Sequence, residues 1–370
     1  MWGDPNVSKK LLLGNSQTPW GTGGFPVTQQ ILRGDILCDL VMQTVATPVY
    51  TPGTGSIAAD VNGPFNTYSL ITAGPSNSAK FYQTSSWSNY LVNLIKQEEN
   101  SYRNFTSNAL AVNNQASINE LYTGSQTTGV VPWRFSQLIP ISQYVASLGG
   151  EVGMWQLAEQ SLNLTVTFTP ASASAASPYN VFSLTAGQQP YLITGNATVT
   201  MANPTVDLLR VLYKNPFDPK DAPPFDFVSL WTQDTFTNPL GLTPSYTFPA
   251  NSGLLCRAII DTLDAGTGNG GLVSTYWNAA DSFKIRYGTS DIKESMSGPE
   301  LREWNQLNFG FEPPVGTFFF DWLSGQRLTL QDTLNTAVLL NSRIELTQAA
   351  ALPANSRMNV IYQLLQPIVG

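Results

Sequence analysis

Two stretches decide the fold: Ile36-Leu37-Cys38-Asp39-Leu40-Val41-Met42-Gln43-Thr44-Val45, and Leu254-Leu255-Cys256-Arg257-Ala258-Ile259-Ile260-Asp261-Thr262-Leu263. Each has the length and the aliphatic, β-branched character of a strand. Each carries its cysteine third. An ungapped shift of 218 residues lays the first on the second, and the same shift puts Gly23 on Gly241 and Pro26 on Pro244. Repetition of a unit constrains architecture more strongly than propensity does, so the rest of the chain is read against this pair.

At an offset of 182, Pro132 meets Pro314 and residues 133–138 meet 315–320. Residues 161–168 and 342–349 follow, both strand-like, both succeeded by Pro-Ala (Pro170-Ala171 and Pro353-Ala354). The closing runs 203–213 and 355–365 agree at an offset of 152, and residues 9–13 align with 227–231 at 218. The anchors keep one order while the offset shrinks. The first copy is therefore longer by 36 residues within 47–131 and by 30 more in the Ala/Ser/Gly-rich stretch 171–197, both expected to be loop insertions. The Pro-rich segment 215–224 is the natural boundary, giving domains 1–215 and 216–370.

Twenty-nine glycines and 25 prolines punctuate short apolar runs along the whole chain, the pattern of an all-β protein. Two segments depart from it. Trp87, Tyr90, Leu91, Leu94 and Ile95 form the stripe of an amphipathic helix. Ser297 and Pro299, ahead of Glu300, Leu301, Arg302 and Trp304, read as the start of a second, shorter one.

Composition removes whole classes of function. Histidine is absent, which excludes Ser-His-Asp and Cys-His catalysis and His-ligated metal sites. Two cysteines can neither complete a four-cysteine zinc site nor staple a secreted scaffold, and as repeat counterparts they are expected to be separate buried thiols. Only 12% of residues are charged and the net charge is −7, so no cationic field draws the chain to nucleic acid. With no run near the roughly 20 apolar residues of a membrane span, and no basic-then-apolar start, cytosolic synthesis is expected.

Two consecutive β domains of one strand order, each with a helix in a loop, resemble the double jelly-roll major capsid proteins of tailless icosahedral phages and their adenovirus-hexon relatives. The residues that carry the resemblance are the two opening stretches, the late strands 162–168 and 344–348, and the closing strands 207–213 and 358–365. The resemblance implies two eight-stranded jelly rolls standing upright in a shell. It further implies three chains per pseudo-hexameric capsomer, vertices (pentons) made by another protein, contacts with minor capsid proteins, and residence in the virion. It implies no cofactor and no sequence-specific contact with nucleic acid. In relatives that enclose a vesicle the N-terminal region faces inward, so Trp2, Lys9 and Lys10 are candidates for contact with an internal membrane or partner. Tyr68, Phe81, Tyr82 and Trp277 are expected as loop aromatics at subunit contacts.

Other motifs read as structure. Glu98-Glu99 and Glu300 with Glu303 are close carboxylates on expected helices, poorly placed for glycoside chemistry. Residues 266–271 are Gly-rich but lack the Lys-Ser/Thr of a phosphate loop. Arg33-Gly34-Asp35 falls at the turn into a strand, and Asp218, Asp221 and Asp226 match no calcium loop. Asn6, Asn104, Asn163 and Asn196 fit the glycosylation pattern, which is idle without secretion. The expected function is that of a structural shell protein. The alternative is a carbohydrate-binding β-sandwich, for which nine tryptophans and 14 tyrosines would supply platforms, but a lectin has no need of matched halves.

Overall fold

The computed structural model describes residues 10–14, 18–19, 25–51, 53–54, 57–59, 67–96, 129–130, 133–145, 150–157, 163–170, 191–193, 198–214, 227–237, 242–250, 253–264, 271–272, 280–287, 291–311, 313–314, 316–323, 333–336, 338–339, 341–348 and 357–367. The chain divides into two compact units, Met1–Gln143 with Gly153–Pro224, and Tyr144–Val152 with Phe225–Gly370. The boundary expected at 215/216 lies outside the described residues. Residues 144–152, early in sequence, belong to the second unit: Val145 and Val152 pack there with Cys256, Leu323 and Leu365.

Among the described residues, eight principal strands frame the first unit, with shorter pieces beside them: β1 (Lys10–Gly14), β2 (Val27–Gln30), β3 (Ile36–Thr51), β4 (Tyr68–Pro75), β5 (Tyr82–Thr84), β6 (Trp133–Pro140), β7 (Leu164–Pro170) and β8 (Thr198–Tyr213). Helix α1 (Ser86–Ile95) lies between β5 and β6. Eight more principal strands frame the second: β9 (Phe227–Thr237), β10 (Ser245–Thr247), β11 (Leu254–Asp264), β12 (Ala280–Tyr287), β13 (Asp291–Met296), β14 (Thr317–Asp321), β15 (Arg343–Gln348) and β16 (Arg357–Pro367). Helix α2 (Gly298–Phe309) lies between β13 and β14.

The sheets of the first unit run β1-β8-β3-β6 and β2-β7-β4-β5, every neighbour antiparallel. Those of the second run β9-β16-β11-β14 and β10-β15-β12-β13. Adding eight to each label of the first order produces the second, so each half is an eight-stranded jelly roll and the two are topological copies. β7 shows the alternation expected of one covered face, with Leu164, Val166 and Phe168 buried between half-buried threonines. β3 does not: Ile36 through Met42 are all buried, on both faces of the sheet. Tyr246, Phe248, Phe283, Phe318 and Tyr362 form an aromatic core in the second unit, with edge-on contacts of Phe248 against Tyr246 and Tyr362.

The extra length of the first half is only partly loop. β3 and β8 run for 16 residues each, against 11 in β11 and β16, and their added ends pair as Thr198–Ala202 with Thr47–Thr51. Two further pieces, Ile57–Ala59 and Tyr191–Ile193, one from each insertion, form a two-stranded sheet. Strand formation gives these backbone groups partners that a loop would have to take from water.

Both expected helices form. Ser85 caps α1 by accepting from the Ser88 amide, and Ser297 caps α2 in a full capping box with Glu300. Gly310 ends α2 in the left-handed region at φ 69°, a conformation that costs glycine nothing. The amphipathic reading of α1 is corrected: every residue from Ser86 to Ile95 is buried, its polar side included.

Candidate functional site

Of the residues singled out for an interior contact, Trp2 and Lys9 lie outside the described residues. Lys10 opens β1, its backbone opposite Tyr213 of β8. The aromatic contact residues are corrected: Tyr68, Phe81 and Tyr82 are all buried in the first unit, and burial pushes the Tyr68 and Tyr82 phenols up. The falling offset places this segment in the loop insertion within 47–131, yet Tyr68 lies in β4 and Tyr82 in β5. Trp277 lies outside the described residues.

The carboxylates nominated for acid–base work are occupied or outside the description. Glu300 accepts from the Ser297 amide and hydroxyl, each at 2.8 Å, and the backbone hydrogen bond above all holds its carboxyl below the ordinary range. Glu303 is exposed on the same helix, and Glu98 and Glu99 lie outside the described residues, as do Gly266 to Gly270, Asp218, Asp221 and Asp226. Asn163 stands exposed just before β7, where its Oδ1 accepts from Gln30 and Arg33. Residues 33–35 lead directly into β3, with a bend at Asp35. Among the described residues no cluster of three or more Cys, Asp or Glu could hold a metal ion, and no helix is long and apolar enough to cross a membrane.

What the structure brings together instead is a duplicated junction at the start of β3 and β11. The ladder of β8 with β3 skips Cys38 between Leu37 and Asp39, and the ladder of β16 with β11 skips Cys256 between Leu255 and Arg257. Each cysteine is the extra residue of a β-bulge, buried and in no disulfide. Each turns its carbonyl to the chain leaving the next strand: Cys38 O accepts from Ser142 N at 2.9 Å, and Cys256 O from Trp322 N at 3.0 Å.

The side chains beside the bulges differ. In the first unit buried Asp39 accepts from the Ile141 amide at 2.9 Å and the Ser142 amide at 3.2 Å. In the second, the same position is Arg257, fully buried, paired with Asp321 at 3.0 Å and donating to Gln363 at 2.8 Å. Asp321 in turn accepts from the Leu323 amide, and Gln363 donates to Ser229.

A second duplicated device ties each helix to its sheet. Asn93 of α1 donates to Leu138 O at 2.8 Å and accepts from Leu138 N at 2.7 Å. Asn305 of α2 makes the same two bonds with Phe319, at 2.8 and 3.0 Å. Both asparagines stand eight residues after the capping serine. Sequence reasoning missed this pair, although the Ser-to-Asn spacing common to both helices was visible.

No protein-family model matches the chain, and no curated protein matches it in sequence. Solved structures match it in fold. The atomic structure of Sulfolobus Turreted Icosahedral Virus contains a chain with TM-score 0.65 and 11% identity, covering 96% of this chain and 90% of that one. A chain of the PBCV-1 virus capsid has TM-score 0.63 and 13% identity, covering 98% and 97%. The major capsid protein P2 from Bacteriophage PM2 has TM-score 0.51 and 8% identity, covering 98% and 99%. The fold class is therefore settled from both directions, strand order and comparison: this chain has the double jelly-roll fold seen in viral major capsid proteins, over nearly its whole length.

Proposed function

We propose that this protein is the major capsid protein of an icosahedral virus, three copies forming a capsomer of six barrels. The observation that carries the reading is the strand-for-strand duplication within one chain. Three chains of two alike but unequal barrels present a nearly sixfold outline under threefold symmetry and so tile a flat facet, with another protein needed at the vertices. Low charge suits crowded subunits, since amide and hydroxyl surfaces make wet, directional contacts with little long-range repulsion. The role is structural, without catalysis or cofactor, and the net charge of −7 favours no sequence-specific hold on nucleic acid.

Size-exclusion chromatography with light scattering tests this directly. The expected result is a stable species at three times 40.2 kDa, with particles visible by electron microscopy on co-expression with a vertex protein. A strict monomer that binds glycans would overturn it in favour of the lectin alternative. The segment bearing Trp2, Lys9 and Lys10 is assigned to the interior, where two cations beside apolar residues 11–13 suit an anionic lipid surface or an internal partner. Equal flotation with anionic liposomes by chains with and without residues 1–10 would remove the lipid assignment.

A further inference from the structure

Lys96 and Asn308 hold the same place in the two units, eleven residues past the capping serine and three past the asparagine that clasps the sheet. In the first unit Lys96 is buried and its Nζ donates to Ser142 O at 2.8 Å, while buried Tyr82 packs beneath the helix, hydrogen-bonded to Asn89. In the second unit the lysine is replaced by Asn308 and the tyrosine by Glu294, each at matching distance from its capping serine. A cavity of about 260 Å³ lies beside α2 there, lined among others by Glu294, Trp304, Asn308, Phe309, Phe319 and Asp321.

The lining is aromatic and acidic, with no basic side chain. Asp321 is committed to Arg257 and the Leu323 amide. Glu294 uses Oε1 to accept from Trp322 Nε1 at 2.8 Å; its Oε2 has no partner among the described residues. Trp304 is half exposed at the side of the cavity. We infer that this cavity binds a primary alkylammonium group, the head and stem that the first unit supplies from its own Lys96 and the second takes from outside. The ammonium donates to Glu294 Oε2 and the Asn308 amide oxygen, its methylenes lie along Phe309 and Phe319, and the Trp304 ring faces the charge. The inference does not depend on the capsid reading.

The test is calorimetric titration of the full chain with n-pentylammonium chloride, against n-pentanol as the neutral ligand of the same shape. The ammonium is expected to bind at least about tenfold more tightly than the alcohol, the margin of a charge-assisted hydrogen bond. Glu294→Gln should erase that preference, and Asn308→Lys, which places an ammonium in the cavity from within, should abolish binding. If the lysine variant fails to fold, Glu294→Gln decides alone. Equal binding of the alcohol, no binding of the ammonium, or an unchanged preference in Glu294→Gln overturns the inference. Light scattering separates the natural sources: dissociation of assemblies by pentylammonium but not by equal sodium chloride identifies a lysine of a second copy, and unaffected assemblies identify a free amine.

Discussion

The two junctions at Cys38 and Cys256 share a backbone and oppose each other in charge. In both, a bulge frees a cysteine carbonyl to accept from the residue that leaves the neighbouring strand. Beside it the first unit places an anion, Asp39, and the second a cation, Arg257. The anion answers the departing chain directly, through the amides of Ile141 and Ser142. The cation cannot accept, so the second unit adds Asp321 at the end of β14, which takes the Leu323 amide and is itself held by Arg257. What is common to the copies is the need of one buried turn for an acceptor; which residue supplies it has drifted.

The largest effect should come from breaking the second junction. Arg257→Ala leaves Asp321 buried and uncompensated, which costs about 3–5 kcal/mol, whereas Arg257→Met with Asp321→Leu removes both charges and should recover part of that, the Leu323 amide losing its acceptor. Asp39→Ala strips the Ile141 amide of its acceptor and leaves the Ser142 amide with Cys38 O alone, at about 1–3 kcal/mol, and no partner change at one site can rescue it. Urea unfolding of the three variants checks the ordering. If the double variant is no better than Arg257→Ala, the ion pair is not the reason the second junction differs.

The sequence offsets agree with the structure at the two opening stretches and the closing strands, and slip elsewhere. Residues 9–13 meet the second unit at 219, not 218, since Lys10 faces Tyr213 where Ser229 faces Leu365. The late strands match at 178, not 181, since Thr72 faces Gln83 and Thr167 where Lys284 faces Ser295 and Glu345. The offset of 152 between the closing strands is the one the ladders show: Leu209 faces Val41 as Ile361 faces Ile259. The offset of 182 for the following pair is corrected to 181, since Leu138 faces Val41 where Phe319 faces Ile259. A one-residue slip exchanges the two faces of a strand, and Thr317-Phe318-Phe319-Phe320 carries too little alternation to choose between them. The junction was illegible for a related reason. Asp39 and Arg257 are charged residues inside apolar runs, and their partners, at Ile141–Ser142 and Asp321, lie 60 or more residues away along the chain.

A smaller effect sharpens the comparison of the helices. Asn93→Ala and Asn305→Ala each remove two bonds to one backbone residue and should cost about 1–3 kcal/mol. The first should cost more, because Asn93 also donates to Asn89 O and α1 is buried on all sides, whereas Leu307 and Trp304 of α2 meet solvent. Hydrogen exchange gives a local check: the Leu138 and Phe319 amides should each lose protection only in the variant of their own helix. Loss at both sites in either variant would show general loosening instead of two separate clasps.

The smallest effect concerns the outer faces of the second sheets, where the copies differ most in charge. In the first unit the face between β2 and β7 is neutral, Thr28 and Thr167 sharing a hydrogen bond of 2.9 Å across the strands. In the second, Arg286 and Arg343 stand directly opposite each other on β12 and β15, a repulsive pair that Glu345 resolves by bridging both. Burial pushes the Glu345 carboxyl up, but the Arg343 hydrogen bond, the charges of Arg286 and Arg343 and the Arg286 hydrogen bond outweigh it and hold it below the ordinary range. A carboxyl depressed in the folded state stabilises above its unfolded value, near about 4.3, and that contribution is lost as pH falls through the lower folded value. Glu345→Gln should therefore destabilise by less than about 1 kcal/mol at neutral pH, and the gap to the parent should close below pH of about 4 and shrink with added salt. Thr167→Val, the matching change in the first unit, should show no such pH dependence. A gap in Glu345→Gln that persists unchanged into acid would mean that the carboxylate's charge is not what holds the two arginines apart.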